Sequence, residues 1–349
     1  MKTDIVNFDY EDALNGVVNE KRSQSIISEF EYIYFLVNKD ESSMMKNHRE
    51  YSQDYLNHLK KFGMVIPGLN SNSTDCSPWW GSLQNKELKI LLNSKTKVRH
   101  IFEEILAQFP QLLNTFEEQE IELFLNASPY EKYIIKSAFG VSGSGNRVLA
   151  RSEVKQSILN LKGEEYLLEP FYERIFDVGI TIESRENIFY VRNFNGLYGR
   201  FSGGELITKQ KMIDLLKPLG LNLDDLIDFY KERLLLLGVF DSIQIDTFFF
   251  KDFDGTMRFM PMCEINYRKT MGLVIKNLDE SLGHGRWFIV PKKIKEEHYS
   301  DILRDINERF GDDVFITSPP KTRFLSFYIR GGFDSEDELA NTLGIKSFI

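Results

Sequence analysis

The sequence predicts an α/β protein, with a small N-terminal parallel sheet, then α+β lobes, then a C-terminal α/β extension. Three observations predict it. The apolar runs at 30–37 (FEYIYFLV) and 64–67 (MVIP) flank a stretch in which Met44, Met45, Tyr51, Tyr55, Leu56 and Leu59 recur at three- and four-residue spacings. Such a strand–helix–strand order belongs to parallel sheets. From Tyr130 onward the pattern turns to short alternating apolar segments separated by turn residues, which is the strand signal. Finally, 28 Phe and 15 Tyr in 349 residues suit a strand-rich core.

The elements follow in order. Residues 1–29 are polar and mixed and read as a lead-in helix or loose segment. Residues 70–78 form a polar loop that ends at Trp79 and Trp80, a pair expected to anchor a domain junction. Ser94 is placed to cap a helix running through Ile101 and Ile105. An acidic amphipathic segment covers 108–125. Strands are expected at 132–139, 146–151, 166–168, 177–183 and 188–192, and helices at 206–216 and 223–237. Segments 242–250 and 256–265 form a hairpin around the Asp254-Gly255 turn. The last part holds a strand at 287–290, a helix at 299–310 and a strand at 323–329.

Size and charge narrow the function. A chain of 349 residues predicts two or three folded units with a sizeable core. Its 43 basic and 52 acidic residues leave a net charge of −9. That balance argues against a dedicated nucleic-acid binder. Two cysteines, Cys76 and Cys263, exclude a disulfide framework and a cysteine-based zinc cluster. The first ten residues are acidic and carry no apolar stretch, and no apolar run reaches the length of a membrane span. A soluble, cytoplasmic protein without membrane contact is therefore expected.

Three clusters carry chemistry. In IIKSAFGVSGSGNRVLAR, Lys136 lies on a strand, and Gly140, Ser142, Gly143, Ser144 and Gly145 form the turn after it. Glycines let successive N–H groups turn toward an anion, and a nearby lysine adds charge, a combination suited to polyphosphate. A plain hairpin tip has the same composition. In the hairpin of 242–265, Asp246 and Glu264 reach one face, with Asn266 beside them. Two carboxylates and an amide oxygen are hard ligands suited to Mg²⁺, though a solvated strand end would read alike. Arg268 follows, as a clamp for a phosphate or acyl phosphate. In YLLEPFYERIFDVGITI, Glu169 ends a strand before Pro170, and Glu173, Arg174 and Asp177 follow. Main-chain amides there can read an adenine edge, and an acidic side chain can hold ribose hydroxyls.

The order and spacing of these pieces resemble the ATP-grasp superfamily, carboxylate–amine ligase type. The resemblance covers roughly residues 90–280, and IDTFFFKDFDGTMRFMPMCEINYRKTMG at 245–272 is its most specific part. It implies two lobes holding ATP between them. Four domains follow: a pre-ATP-grasp domain at 1–92, a small lobe with a Gly-rich flap at 93–168, a large lobe with the metal site at 169–280, and an extension at 281–349. Lys95 resembles the lysine that opens a helix, Lys136 the strand lysine, and 140–145 the flap. Glu169 resembles the hinge, with Glu173 as a ribose contact. Asp246, Glu264 and Asn266 align with the metal ligands, and Arg268 with the arginine after them. There are two departures: Gln244 stands where a basic residue is common, and Tyr267 where proline is. The missing charge then falls to Arg200 or Arg192.

The resemblance implies ATP and Mg²⁺, with two ions, and an acyl-phosphate route to an amide or peptide bond. The expected substrates are a small-molecule carboxylate and amine, such as an amino acid or short peptide. A homodimer is the expected assembly. Two other functions stay open: an ATP-grasp kinase or other acyl-activating enzyme, and a non-catalytic ATP-binding regulatory protein.

Overall fold

The computed structural model describes residues 2–16, 20–140, 145–161, 163–184, 186–195, 200–239 and 242–345. The N-terminal part contains β1 (Thr3–Ile5), α1 (Tyr10–Leu14), α2 (Glu20–Phe30), α3 (Ile33–Val37), β2 (Met44–Met45), α4 (Gln53–Lys61), β3 (Gly68–Leu69) and β4 (Cys76–Pro78). Its strands form a parallel sheet in the order β3-β2-β1-β4. Helices α5 (Lys86–Asn93), α6 (Lys97–Ile101) and α7 (Glu103–Leu106) lead into the small lobe.

The parallel sheet was legible, but its strands were misplaced. The 30–37 run is helical, not a strand. Ile33, Tyr34, Phe35 and Leu36 are all buried, so no face alternates with solvent. A continuous apolar run does not separate a buried strand from a helix buried on all sides. Met44 and Met45, expected to start a helix, form a strand instead. Residues 64–67 are not a strand either: Pro67 has no N–H to give, and pairing starts where Gly68 N donates to Ser43 O at 2.9 Å.

The small lobe is a four-stranded antiparallel sheet in the order β5-β8-β6-β7. Its elements are β5 (Leu112–Leu113), α8 (Glu118–Ala127), β6 (Lys132–Ser137), β7 (Arg147–Ala150), α9 (Arg151–Leu159) and β8 (Tyr166–Pro170). Tyr133 and Ile135 pack with Ile121, Leu125, Val154 and Ile158 from the two helices. Strand alternation therefore turns Lys136 to the opposite face.

The large lobe runs β9 (Glu173–Ile182), β10 (Ile188–Asn195), β11 (Phe201–Ile207), α10 (Lys209–Leu216), α11 (Leu223–Leu236), β12 (Ile243–Lys251), β13 (Met257–Asn266) and α12 (Met271–Leu282). β11 and α12 were not foreseen, and part of β11 was assigned to a helix. That helix starts later, where Thr208 Oγ1 accepts from Lys211 N at 3.1 Å. The chain ends with β14 (Gly285–Val290), α13 (Tyr299–Phe310), β15 (Val314–Ile316), β16 (Leu325–Arg330) and α14 (Glu336–Leu343).

The last three strands complete an eight-stranded sheet in the order β13-β12-β9-β10-β11-β14-β16-β15. One face packs on α10 and α11 through Met212, Leu216, Ile227 and Tyr230. The other shares a core with α12 and the N-terminal domain. Phe62 and Phe315 stack at 4.4 Å, and Tyr55 Oη donates to Thr317 O at 2.8 Å. Residues 281–345 thus continue the large sheet and join the N-terminal core. Among the described residues, no helix is long and apolar enough to cross a membrane.

Candidate active site

The site is built around the β12–β13 hairpin. Asp246 lies opposite Glu264, and Gln244 opposite Asn266. The register slips between Asp246 and Phe248; such bulges re-aim side chains beside active sites. Asp246 accepts from Gln244 Nε2 at 2.6 Å on one oxygen and from Asn266 Nδ2 at 2.9 Å on the other. Burial and the adjoining Glu264 carboxylate push Asp246 well above the usual carboxylate range. Burial acts upward on Glu264 too, but the Lys95 ammonium and then Lys136 outweigh it, so Glu264 is held low.

Lys95 spans the two lobes. Its Nζ lies 3.1 Å from Glu264 Oε2 in the large lobe and donates to Gly140 O, at 3.1 Å, in the small one. Its backbone N donates to Ala138 O at 2.8 Å. Ser94 Oγ accepts from Lys97 N, at 3.3 Å, but Ser94 is not the cap expected: it closes α5, and Thr96 holds the N-cap position of α6. Lys136 enters the cleft from β6 and donates to Glu169 Oε1 and, at 3.5 Å, to Cys263 Sγ of the large lobe. Arg99 closes the cluster: its Nη2 lies 3.1 Å from Glu169 Oε2 and 3.0 Å from Cys263 O. Burial raises the Glu169 pKa, but the two cations outweigh it and hold the carboxyl below its ordinary value. Two buried donors there lack a partner among the described residues, Arg99 Nε and Tyr172 Oη. Glu169 and Arg99 are both within electrostatic reach of Tyr172.

The chain is similar to several solved structures. N5-carboxyaminoimidazole synthetase from Staphylococcus aureus is similar at 10% identity, covering 90% of this chain and 95% of that chain, with a TM-score of 0.50. The fold is ATP-grasp. Biotin carboxylase from Campylobacter jejuni is similar at 12% identity, covering 92% of this chain and 83% of that one, with a TM-score of 0.49. Identities this low speak to the fold alone. No family model and no curated protein matches the sequence.

Within the ATP-grasp fold, the expected residues fall as follows. Lys95, Lys136, Glu169, Asp246, Glu264 and Asn266 meet at the cleft between the lobes. Gly140 and Gly145 form the flap base, where Ser137 Oγ donates to Gly145 O at 3.3 Å and Gly145 has φ +83°. Ser142, Gly143 and Ser144 lie outside the described residues. Glu173 is exposed at the start of β9. Asp177 is the more enclosed acid, held by Arg174 at 2.7 Å and by Asn195. Arg192 pairs with Glu205 at 3.2 Å. Arg200 is exposed and has no hydrogen bond or ion pair among the described residues. Arg268 is engaged by Glu11 of the N-terminal domain.

Sequence reasoning missed Arg99, Glu11 and the part Gln244 plays. Arg99 had a signal, since it follows Lys95 by four residues in the helix expected after Ser94, although Lys95 itself lies in the turn before α6. Gln244 does not leave a gap in the site. Its Oε1 accepts from Thr181 at 3.3 Å and from Thr270, while its Nε2 holds Asp246. A Cβ on Gly179 or Gly272 would come within 2.9 Å of its side chain.

Proposed function

We propose that this chain is an ATP-dependent carboxylate–amine ligase that forms an amide or peptide bond and releases ADP and orthophosphate. The observation that carries it is the opposed Asp246–Glu264 pair, linked through Lys95 to the base of the glycine flap. Two carboxylates in contact repel unless a proton or a cation joins them, and their donors are hard oxygens, so the set fits Mg²⁺. Asn266 spends its Nδ2 on Asp246, which leaves its amide oxygen as a third ligand. The unpartnered Arg99 Nε and Tyr172 Oη support a nucleotide at the lobe junction.

Bound Mg²⁺ would neutralise charge on the phosphate oxygens. Lys95 and Lys136 balance the phosphates, and the flap excludes water. The substrate carboxylate attacks the γ-phosphorus, the bond to ADP breaks, and an acyl phosphate forms. Arg268 stabilises the oxygens of the group in transfer. The amine then attacks the acyl carbon, orthophosphate leaves with the C–O bonding pair, and the nitrogen gives up a proton. Of Arg174, Arg192 and Arg200, only Arg200 has no acidic partner among the described residues, which favours it for holding a substrate carboxylate. An amino acid or short peptide is the proposed substrate class.

The test is ADP and orthophosphate release from Mg-ATP against pooled amino acids and small carboxylates, with mass spectrometry of the same mixtures. The expected product is lighter by one water than its two parents. Glu264→Gln should abolish turnover and keep the fold. Phosphate retained on an acceptor would make the protein a kinase. Stabilisation by Mg-ATP with no release would make it a binding protein.

A further inference from the structure

Segment 267–270, directly after Asn266, is gripped by the N-terminal domain. Tyr10 Oη donates to Tyr267 O at 3.2 Å, Lys269 N to Trp80 O at 2.9 Å, and Lys269 Nζ to Trp79 O at 3.0 Å. Inside this grip sits an ion pair between Arg268 Nε and Glu11 Oε1, with side chains only 10% and 8% exposed. Arg268 Nη1 donates to Lys269 O at 3.0 Å, and the guanidinium lies 5.2 Å from the Trp80 ring. Nε and Nη1 are thus fixed, while Nη2 makes no hydrogen bond among the described residues.

A buried ion pair is a poor means of holding two domains together, because desolvation offsets much of the attraction and an apolar pair would serve as well. Docking is already supplied by Tyr10, Trp79 and Trp80. What Glu11 adds is the immobilisation of one guanidinium beside the carboxylate pair. Gln244 is uncharged and fully engaged with Asp246, Thr181 and Thr270, so a positive charge next to Asp246 has to come from elsewhere. Arg268 is close enough for its field to act on Asp246.

We propose that Glu11 is a positioning residue of the active site. It fixes Arg268 and keeps Nη2 available to the anionic oxygens that develop beside Asp246 and Glu264, which makes the N-terminal domain part of the catalytic machinery. This rests on the reading of the cleft as a Mg-ATP site. It adds that rigid placement of the arginine, rather than its presence alone, determines how well the group in transfer is held.

The probe is ADP with Mg²⁺ and fluoroaluminate, a planar mimic of a phosphoryl group in transfer, used with the full chain. Calorimetry of wild type with Mg-ADP comes first. No binding would overturn the nucleotide site, and this inference with it. Given binding, Glu11→Gln, which retains a hydrogen-bond acceptor, should hold Mg-ADP within about twofold of wild type while retention of the fluoroaluminate complex falls on the order of 10- to 100-fold. Tyr10→Phe removes a neighbouring domain contact without touching Arg268 and should retain the complex as wild type does. Equal losses in both variants would make Glu11 a docking residue only. Unchanged or tighter retention in Glu11→Gln would show that Glu11 does nothing for Arg268, or masks it. Each of these results overturns the proposal and leaves the nucleotide site standing.

Discussion

Replacing Asp246 with asparagine should stabilise the metal-free protein while removing its response to metal. The two carboxyls of Asp246 and Glu264 face each other across β12 and β13 and share a hydrogen bond. Were both ionised, two unit charges about 4 Å apart would repel by about 4 kcal/mol at an effective dielectric of 20; a proton held on Asp246 relieves this, but the buried carboxyl is kept protonated near neutral pH at a comparable cost, since the unfolded chain would ionise it. Lys95, 3.1 Å from Glu264, offsets part of this. The asparagine also turns an NH₂ toward one of the two amides that now donate to Asp246, which costs about 1 kcal/mol. The net gain is about 1–2 kcal/mol, or roughly 1–3 °C in Tm for a chain of this size. The assay is thermal and urea unfolding in EDTA, repeated with Mg²⁺ and ADP. Wild type should be the less stable protein in EDTA and the more stable one with ligand. If Asp246→Asn melts below wild type in EDTA, or gains as much from Mg-ADP, the pair is a structural element and not a metal site.

Two further outcomes test the interior. Glu169→Gln leaves Lys136 and Arg99, 3% and 2% exposed, without their counter-charge. It should cost about 3–5 kcal/mol in urea unfolding, and a loss below about 1 kcal/mol would refute the cluster. His58 is lowered from 6.5 to about 4 by burial, aided by the nearby Lys61, while its ring N–H donates to Ile316 O. The unfolded chain binds the extra proton first, so stability falls as pH drops from 6.5 toward 4, by at most about 3 kcal/mol. His58→Gln should flatten that part of the pH profile, and parallel wild-type and variant curves would exclude His58 as its source.

The sequence alone determined the period-2 elements and the polar residues they carry. β6, β9, β12 and β13 were legible because their alternation and their turns are local, and the same alternation placed Lys136, Asp246 and Glu264 on cleft-facing positions. Ser94 was legible as a helix boundary because such signals are local, although it ends α5 rather than capping α6. The tertiary structure decided whatever depends on partners far along the chain. Residues 30–37 read as a strand because a continuous apolar run fits a buried strand and a helix buried on every side alike, and only the surrounding packing separates the two. Gln244 looked like a lost charge until Gly179, Thr181, Thr270 and Gly272 closed around it. Glu11 looked like one acid among many in a polar lead-in; only the fold brings it to Arg268, 257 positions away. Local geometry follows from short-range sterics and hydrogen bonds, whereas the environment of a charge is set by residues that folding gathers from the whole chain.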